Sequence, residues 1–255
     1  MHDYPQMIVP TGHVEPVPRR VRAVLGGVVV VDTTRARYVW EWPPYPQYVV
    51  PLDDVVPGAL TGEGAVADTP VGTAARHTLR AGGVERPGAA LVHTGDRVPE
   101  LAGHVRFDWA ALDAWFEEDE EVFVHPRNPY ARVDAVRSSR RVRVERDGVV
   151  LAESTSPVLV FETGLPTRSY LPRTDVHWEH LAPSATVTQC PYKGRTSGWW
   201  SARVGGGVVE DVAWSYDFPT REVAPIAGLV AFYDEVVDVV VDGVRRERPR
   251  TPLRG

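Results

Sequence analysis

The chain has 255 residues, 43% hydrophobic and 24% charged, with a formal net charge of −6, the proportions of an ordinary globular protein of one large domain or two small ones. That balance argues against a nucleic-acid partner, because no basic stripe is present to displace counterions from a phosphate backbone. No apolar run approaches the roughly 20 residues that span a membrane, the N-terminus shows no secretory signal, and a single cysteine, Cys190, excludes an internal disulfide and a four-thiolate zinc site, so the cytoplasm is the expected location.

Gly (22) and Pro (23) are spread along the chain and Val recurs in short runs between them. Short β-branched segments punctuated by turn residues predict a mainly β protein. Residues 1–19 carry four prolines and little periodicity, and read as an extended arm. The first unit is expected over 20–121. It opens with a hairpin, Val21 to Val24, Gly26-Gly27, Val28 to Val31, in which glycine supplies the positive φ of a tight turn. Tyr38 to Trp42 and Tyr48 to Pro51 are further strand candidates. Pro57 to Pro99 is a stretch of Gly, Ala, Thr and Pro with scattered apolar residues. After it, Trp109, Leu112 and Phe116 recur at helical intervals behind Asp108, a fitting N-cap, which predicts one short helix after the unit's last strand. The acidic run Glu117 to Glu121 reads as the solvated end of that helix. Residues 122–139 are the expected linker, 140–246 the second unit and 247–255 a tail.

The second unit repeats the first. Val142 to Glu145, Asp147-Gly148 and Val149 to Ala152 form the hairpin again. A shift of 121 residues also matches Glu41 with Glu162, Pro51 with Pro172 and Asp54 with Asp175. A shift of 125 matches Gly103 with Gly228, Val105 with Val230 and Phe107 with Phe232. Collinear matches at nearly constant spacing indicate a tandem duplication, and two units of this size each bury a modest core.

The copies differ at their ends, where Val236 to Val241 reads as a strand in place of the helix, and between the matched blocks. Only the second holds Gln189-Cys190-Pro191-Tyr192-Lys193-Gly194, followed by Trp199-Trp200 and Trp214-Ser215-Tyr216. A polar loop with a thiol and an amine against large aromatics has the makings of a small-molecule pocket. Lys193 is the chain's single lysine among 27 arginines, which suggests a need for a compact ammonium. Cys190 is either a nucleophile with that ammonium within reach or a small packing residue. Arg173 and Asp175 share a strand face if the strand stays regular. Arg173 then grips an anionic group or forms a surface pair with Asp175. Copy one keeps the aspartate but has Leu52 at the arginine position, which favours a framework role for Asp175. The run Gly205-Gly206-Gly207 is a turn between β-branched strands. If Val204 faces Val208 across it, Trp200 faces Val212 and shares a face with Trp214. His177 and His180 lie on opposite sides of a strand and converge only if their segment is helical.

Several blocks of the second unit carry a family resemblance. Arg143 to Glu153, Phe161-Glu162-Thr163-Gly164, Ser169 to Val176, Cys190 to Gly194, Ala213 to Tyr216 and Ala224 to Tyr233 stand in order and at the right spacing. Together they resemble an uncharacterised bacterial family, domain of unknown function 427. Copy one matches in its framework blocks and, with His125-Pro126-Arg127 between, resembles a tandem member whose first copy is degenerate. The resemblance implies two small β domains similar to the tent-like fold of methionine-R-sulfoxide reductases. The family's nucleotidyltransferase-like label finds no phosphate loop or Asp-x-Asp pair here.

The resulting expectation is a small-molecule-binding protein. Arg173 and Lys193 would hold the charge of an anionic, partly planar ligand. Tyr170, Tyr192, Trp199, Trp214 and Tyr216 would line its flat part, with Cys190 and Asp175 beside it. No cofactor or metal is expected, and the two units are expected to pack within one chain as a monomer or homodimer. An enzyme using Cys190, with Lys193 and Asp175 in support, and a module without a ligand are the alternatives.

Overall fold

A computed structural model describes residues 9–249. The chain divides into two units, split between Pro129 and Tyr130. Each is an antiparallel pair of sheets, and the two have the same topology. In unit one a seven-stranded sheet runs Val14–Pro16, Arg37–Val39, Gln47–Pro51, His104–Phe107, Val84–His93, Gly72–Ala81, Leu60–Thr69. A four-stranded sheet runs Glu120–Val122, Ala114–Glu117, Val21–Leu25, Val28–Thr33. In unit two the seven strands are Val133–Arg137, Val158–Glu162, Arg168–Leu171, Val230–Phe232, Gly207–Ser215, Gly198–Val204 and Leu181–Ser184. The four are Val244–Arg245, Asp238–Val241, Val142–Arg146 and Val149–Ser154. The protein is therefore mainly β and duplicated.

The opening hairpins show why the repeat was readable. Val21, Ala23 and Leu25 alternate inward with partly exposed neighbours, as a strand covering one core must. The register slips once in each hairpin, between Ala23 and Val24 and between Val144 and Glu145, positions 121 residues apart. Both turns use two positive-φ residues, Gly26-Gly27 and Asp147-Gly148. Gly26 has a second reason to be glycine: a Cβ there would stand 2.7 Å from the Ala81 carbonyl. Between the sheets of each unit lies a Val-rich core, containing Val21, Leu25, Val50 and Phe107 in unit one and Val142, Leu151, Leu171 and Phe232 in unit two.

Four segments differ from the sequence reading. The helix expected over 108–116 is a single 3-10 turn, Trp109–Ala111. Its Asp108 cap is present, accepting from the Ala110 N–H at 3.2 Å, but 114–117 leave it as a strand. The aromatic spacing that mimicked a helix instead brings Trp109 and Trp115 into a stack, with ring centroids 5.0 Å apart. Glu117 is accordingly not a solvated helix end: it is buried, paired with Arg19 and accepting from the Tyr48 hydroxyl. The stretch 57–99 holds three ten-residue strands, and it lacks apolar residues because the outermost, Leu60–Thr69, is mostly exposed. Within 122–139, Val133–Arg137 is the edge strand of unit two's larger sheet, and within the N-terminal arm Val14–Pro16 pairs with Arg37–Val39. Residues 1–8 of the arm and 250–255 of the tail lie outside the described residues.

Among the described residues no helix is long and apolar enough to cross a membrane.

Candidate functional site

Unit one closes the gap between Leu60–Thr69 and Gly72–Ala81 with Pro70 and Val71 alone. Unit two spends residues 185–197 on the same connection. That excursion is a two-stranded ribbon, Gln189–Cys190 against Gly194–Arg195, with Pro191, Tyr192 and Lys193 at its tip. Gly194 has φ +92, where only glycine is unstrained. The ribbon is fastened to neighbouring chain by bonds that include Thr220 N–H to the Lys193 carbonyl at 3.2 Å, Thr220 Oγ1 to the Tyr192 carbonyl at 2.6 Å, and Trp199 Nε1 to Thr196 Oγ1 at 3.0 Å. A loop tied at this many points is a built structure.

Fastening puts the Lys193 side chain in the interior. Its ammonium pairs with Glu162, the last residue of strand Val158–Glu162, and lies 3.9 Å from Cys190 Sγ. Both charged side chains are only 11% exposed. Burial alone would lower the lysine's pKa; the Cys190 thiol, Glu162 and Tyr170 outweigh it and hold it above its ordinary value. An ammonium has three N–H donors, and Glu162 and Cys190 accept from two of them. Cys190 is a free, half-buried thiol.

Beside this pair stands an aromatic wall. Trp199 and Trp214 are cross-strand partners with ring centroids 5.4 Å apart, and Tyr233 packs on Trp214 at 4.6 Å. Trp214 Nε1 donates to the Tyr170 hydroxyl at 3.3 Å. Tyr170, Trp199, Trp214 and Tyr216 are all under 9% exposed. Burial pushes the Tyr170 hydroxyl up to about 12 and Tyr216 well above its usual value, so both stay protonated. On the far side of the wall Arg168 lies over the rings of Trp214 and Tyr233, and bonds Glu235 and Asp234 at 3.0 Å. Those carboxylates outweigh its burial and hold it charged.

The residues read from the sequence fall into two groups. Tyr170, Cys190, Lys193, Trp199, Trp214 and Tyr216 gather on one face of the larger sheet, with Tyr192 half-buried at the ribbon tip. Arg173 and Asp175 do not join them. They form a 3-10 turn, Arg173–Asp175, not a regular strand. Arg173 donates to Ser215 Oγ, Asp217 and the Gly228 carbonyl at 2.9–3.0 Å, and packs over Trp178 and Trp200 on the opposite face. Asp175 accepts from its neighbour Thr174. Trp200 also departs from expectation. Val204 pairs with Gly207, not Val208, and the register shifts between Trp200 and Ala202. Trp199 therefore takes the place beside Trp214, and Trp200 turns to Trp178 at 5.1 Å. Sequence reasoning missed Glu162 and Arg168. The signal for Glu162 was present, since it is the acid that matches Glu41 at the 121-residue shift.

That match is physical. Leu171 pairs with Val230 and Val230 with Ser215, as Val50 pairs with Val105 and Val105 with Val92. In unit one, Val49 therefore stands for Tyr170, Leu91 for Trp214, His93 for Tyr216 and Arg106 for Ala231. Glu41 is kept, but its cation is Arg106, with Nε 3.1 Å away. His93 is buried, and neither ring nitrogen has a hydrogen-bond partner among the described residues. Burial, with Arg106 nearby, lowers its pKa to about 4.

Two sandwiched sheets in tandem, with a carboxylate held at one equivalent position in both, define a duplicated β protein with a diverged site. Residues 13–118 and 134–243 each match the family described as domain of unknown function 427, and the chain belongs to that family in a two-copy arrangement. A comparison with curated proteins gives no match.

Proposed function

We propose that the second unit binds a small polar molecule at the ribbon tip, where Lys193, Cys190 and Tyr192 meet. The observation that carries this reading is the buried Lys193–Glu162 pair. Burying two charges costs several kcal/mol of desolvation that their attraction barely repays, and unit one folds to the same topology without the loop that supplies Lys193. A costly pair on a dispensable loop is accounted for by what it does, and its remaining N–H donor is suited to an acceptor on a ligand. Because Glu162 already neutralises the ammonium, the ligand is an uncharged or zwitterionic acceptor more readily than a bare anion, and Arg173 takes no part. A compound library screened by thermal shift tests this. Stabilising compounds whose effect disappears in Lys193→Met but survives in Arg173→Ala support the reading. No stabilising compound, or equal binding by Lys193→Met, would overturn it.

A second reading, a structural or interaction module, is favoured by the closed packing of Tyr170, Trp214 and Tyr216, which serves as core whether or not a ligand binds. A third, thiol chemistry at Cys190, draws on the 3.9 Å approach of Lys193. Native-state alkylation by iodoacetamide separates it: a thiol that stays unmodified until the protein unfolds excludes it. A free thiol also suits a reducing compartment, so we place the protein in the cytoplasm.

A further inference from the structure

We propose that unit two carries a divalent metal site of the zinc class on the turn His177-Trp178-Glu179-His180, on the face of the sheet opposite Lys193. The segment is a 3-10 turn, Trp178–His180, preceded by His177 and closed by the His180 N–H donating to the His177 carbonyl at 3.2 Å. The chain reverses over this turn and brings the two imidazoles near each other, where an extended strand would have separated them; their ring centroids are 6.5 Å apart. One ligand atom each from His177, Glu179 and His180 lies within 4.8 Å of the others. Ligands on one tetrahedral zinc at 2.0–2.2 Å stand about 3.4 Å apart, so side-chain rotation, chiefly of the exposed His177 and Glu179, closes the set.

Two further observations lift this above a chance surface cluster. First, the His177 ring is already oriented from outside the group: Nδ1 bonds the Val150 carbonyl at 3.1 Å. Metal-bound imidazoles are held this way by a backbone or carboxylate acceptor, which fixes the tautomer and leaves Nε2 free to coordinate. Second, the turn is rigid. Trp178 between the ligands packs edge-on against Trp200, its Nε1 bonds the Arg173 carbonyl at 2.8 Å, and His177 N–H bonds the Leu151 carbonyl at 2.8 Å. Arg173 lies over the Trp178 ring at 6.0 Å, and Asp217 answers its charge. Two imidazoles and one carboxylate suit a borderline divalent ion such as Zn²⁺ and leave a coordination position for water or an oxygen ligand. Cys190, at the ribbon on the other face, is not part of the set.

Calorimetric titration of the full, tag-free chain with ZnCl₂, repeated with Co²⁺ read by its visible spectrum, tests this. Because the ligands are on the surface, His177→Ala and His180→Ala should melt with wild type in the presence of chelator. Loss of a ligand should weaken binding at least as much as the roughly 10–100-fold that loss of an orienting partner costs. One equivalent bound by wild type and by Cys190→Ser, and weakened at least tenfold in both histidine variants, is the expected result. No binding by wild type at millimolar zinc, binding unchanged in either histidine variant, or binding lost in Cys190→Ser would each overturn the proposal.

Discussion

The two units answer one problem in different ways. Each places a carboxylate at an equivalent position on the outer face of its larger sheet, Glu41 just past strand Arg37–Val39 and Glu162 at the end of Val158–Glu162, and each supplies a cation for it. Unit one takes Arg106 from a strand already in the framework, and that sheet carries a buried aliphatic cluster of Val39, Val49, Val71 and Leu101. Unit two builds a separate thirteen-residue excursion, residues 185–197, to deliver Lys193, and replaces the aliphatic surroundings with Tyr170, Trp199, Trp214 and Tyr216. A framework that can satisfy its acid with a strand residue does not require a loop for stability. The loop is the part of unit two that structure alone does not explain.

That contrast can be broken experimentally, and the largest effect should come from Lys193→Met. Removing one partner of a buried ion pair strands the other and costs about 3–5 kcal/mol, so the denaturant midpoint of the full chain should fall sharply. Adding Glu162→Gln should recover much of the loss, because the pair then disappears together. Arg106→Met in unit one should follow the same rule with a smaller loss. Its side chain is 23% exposed against 11% for the lysine, so the carboxylate it leaves behind lies closer to water.

A pH series sharpens the difference at the position where unit one has His93 and unit two Tyr216. The folded value of His93, about 4, lies below the roughly 6.5 of an unfolded histidine. The unfolded chain therefore takes up the proton first as pH falls. The contribution is complete above about 6.5 and is lost between there and about 4, at up to ~1.4 kcal/mol per pH unit. The stability difference between wild type and His93→Leu should show that slope in that window and flatten above it; a flat difference throughout would contradict the burial of a neutral imidazole. Lys193 runs oppositely. Its folded value is raised, so its contribution is complete at all pH below the ordinary lysine range and fades only above it. The smallest effect is expected at Gly194. Alanine there meets a φ of +92 and should cost about 1 kcal/mol, read from the denaturant midpoint.

How far the sequence could be read depended on which residues carried the signal. The duplication was legible because hairpin turns and Val alternation recur at a fixed offset, down to the matched bulges after Ala23 and Val144. The ribbon was legible because its residue types are rare in this chain. The strands of 60–93 were not, because the outermost, Leu60–Thr69, is mostly exposed and the other two bury small or polar residues beside few large apolar ones. Nor was the helix expected over 108–116 distinguishable from what formed, since aromatic spacing at 3–4 residues suits both a helix and a 3-10 turn leading into a strand. Arg173 was drawn toward Lys193 by charge chemistry, but strand alternation around Ser215 puts it on the other face. The Trp199–Trp214 pairing depended on a bulge, which a residue count across a glycine turn does not reveal.

The central claim is that the ribbon is a site laid over a framework able to fold without it. Replacing residues 185–197 by the Pro70-Val71 connection of unit one, together with Glu162→Gln so that no carboxylate is stranded, tests it directly. The chain should keep the near-ultraviolet circular dichroism of its tryptophans and a cooperative unfolding transition, while losing every ligand that stabilises wild type through Lys193. A graft that no longer unfolds cooperatively would make the ribbon part of the scaffold and contradict the account.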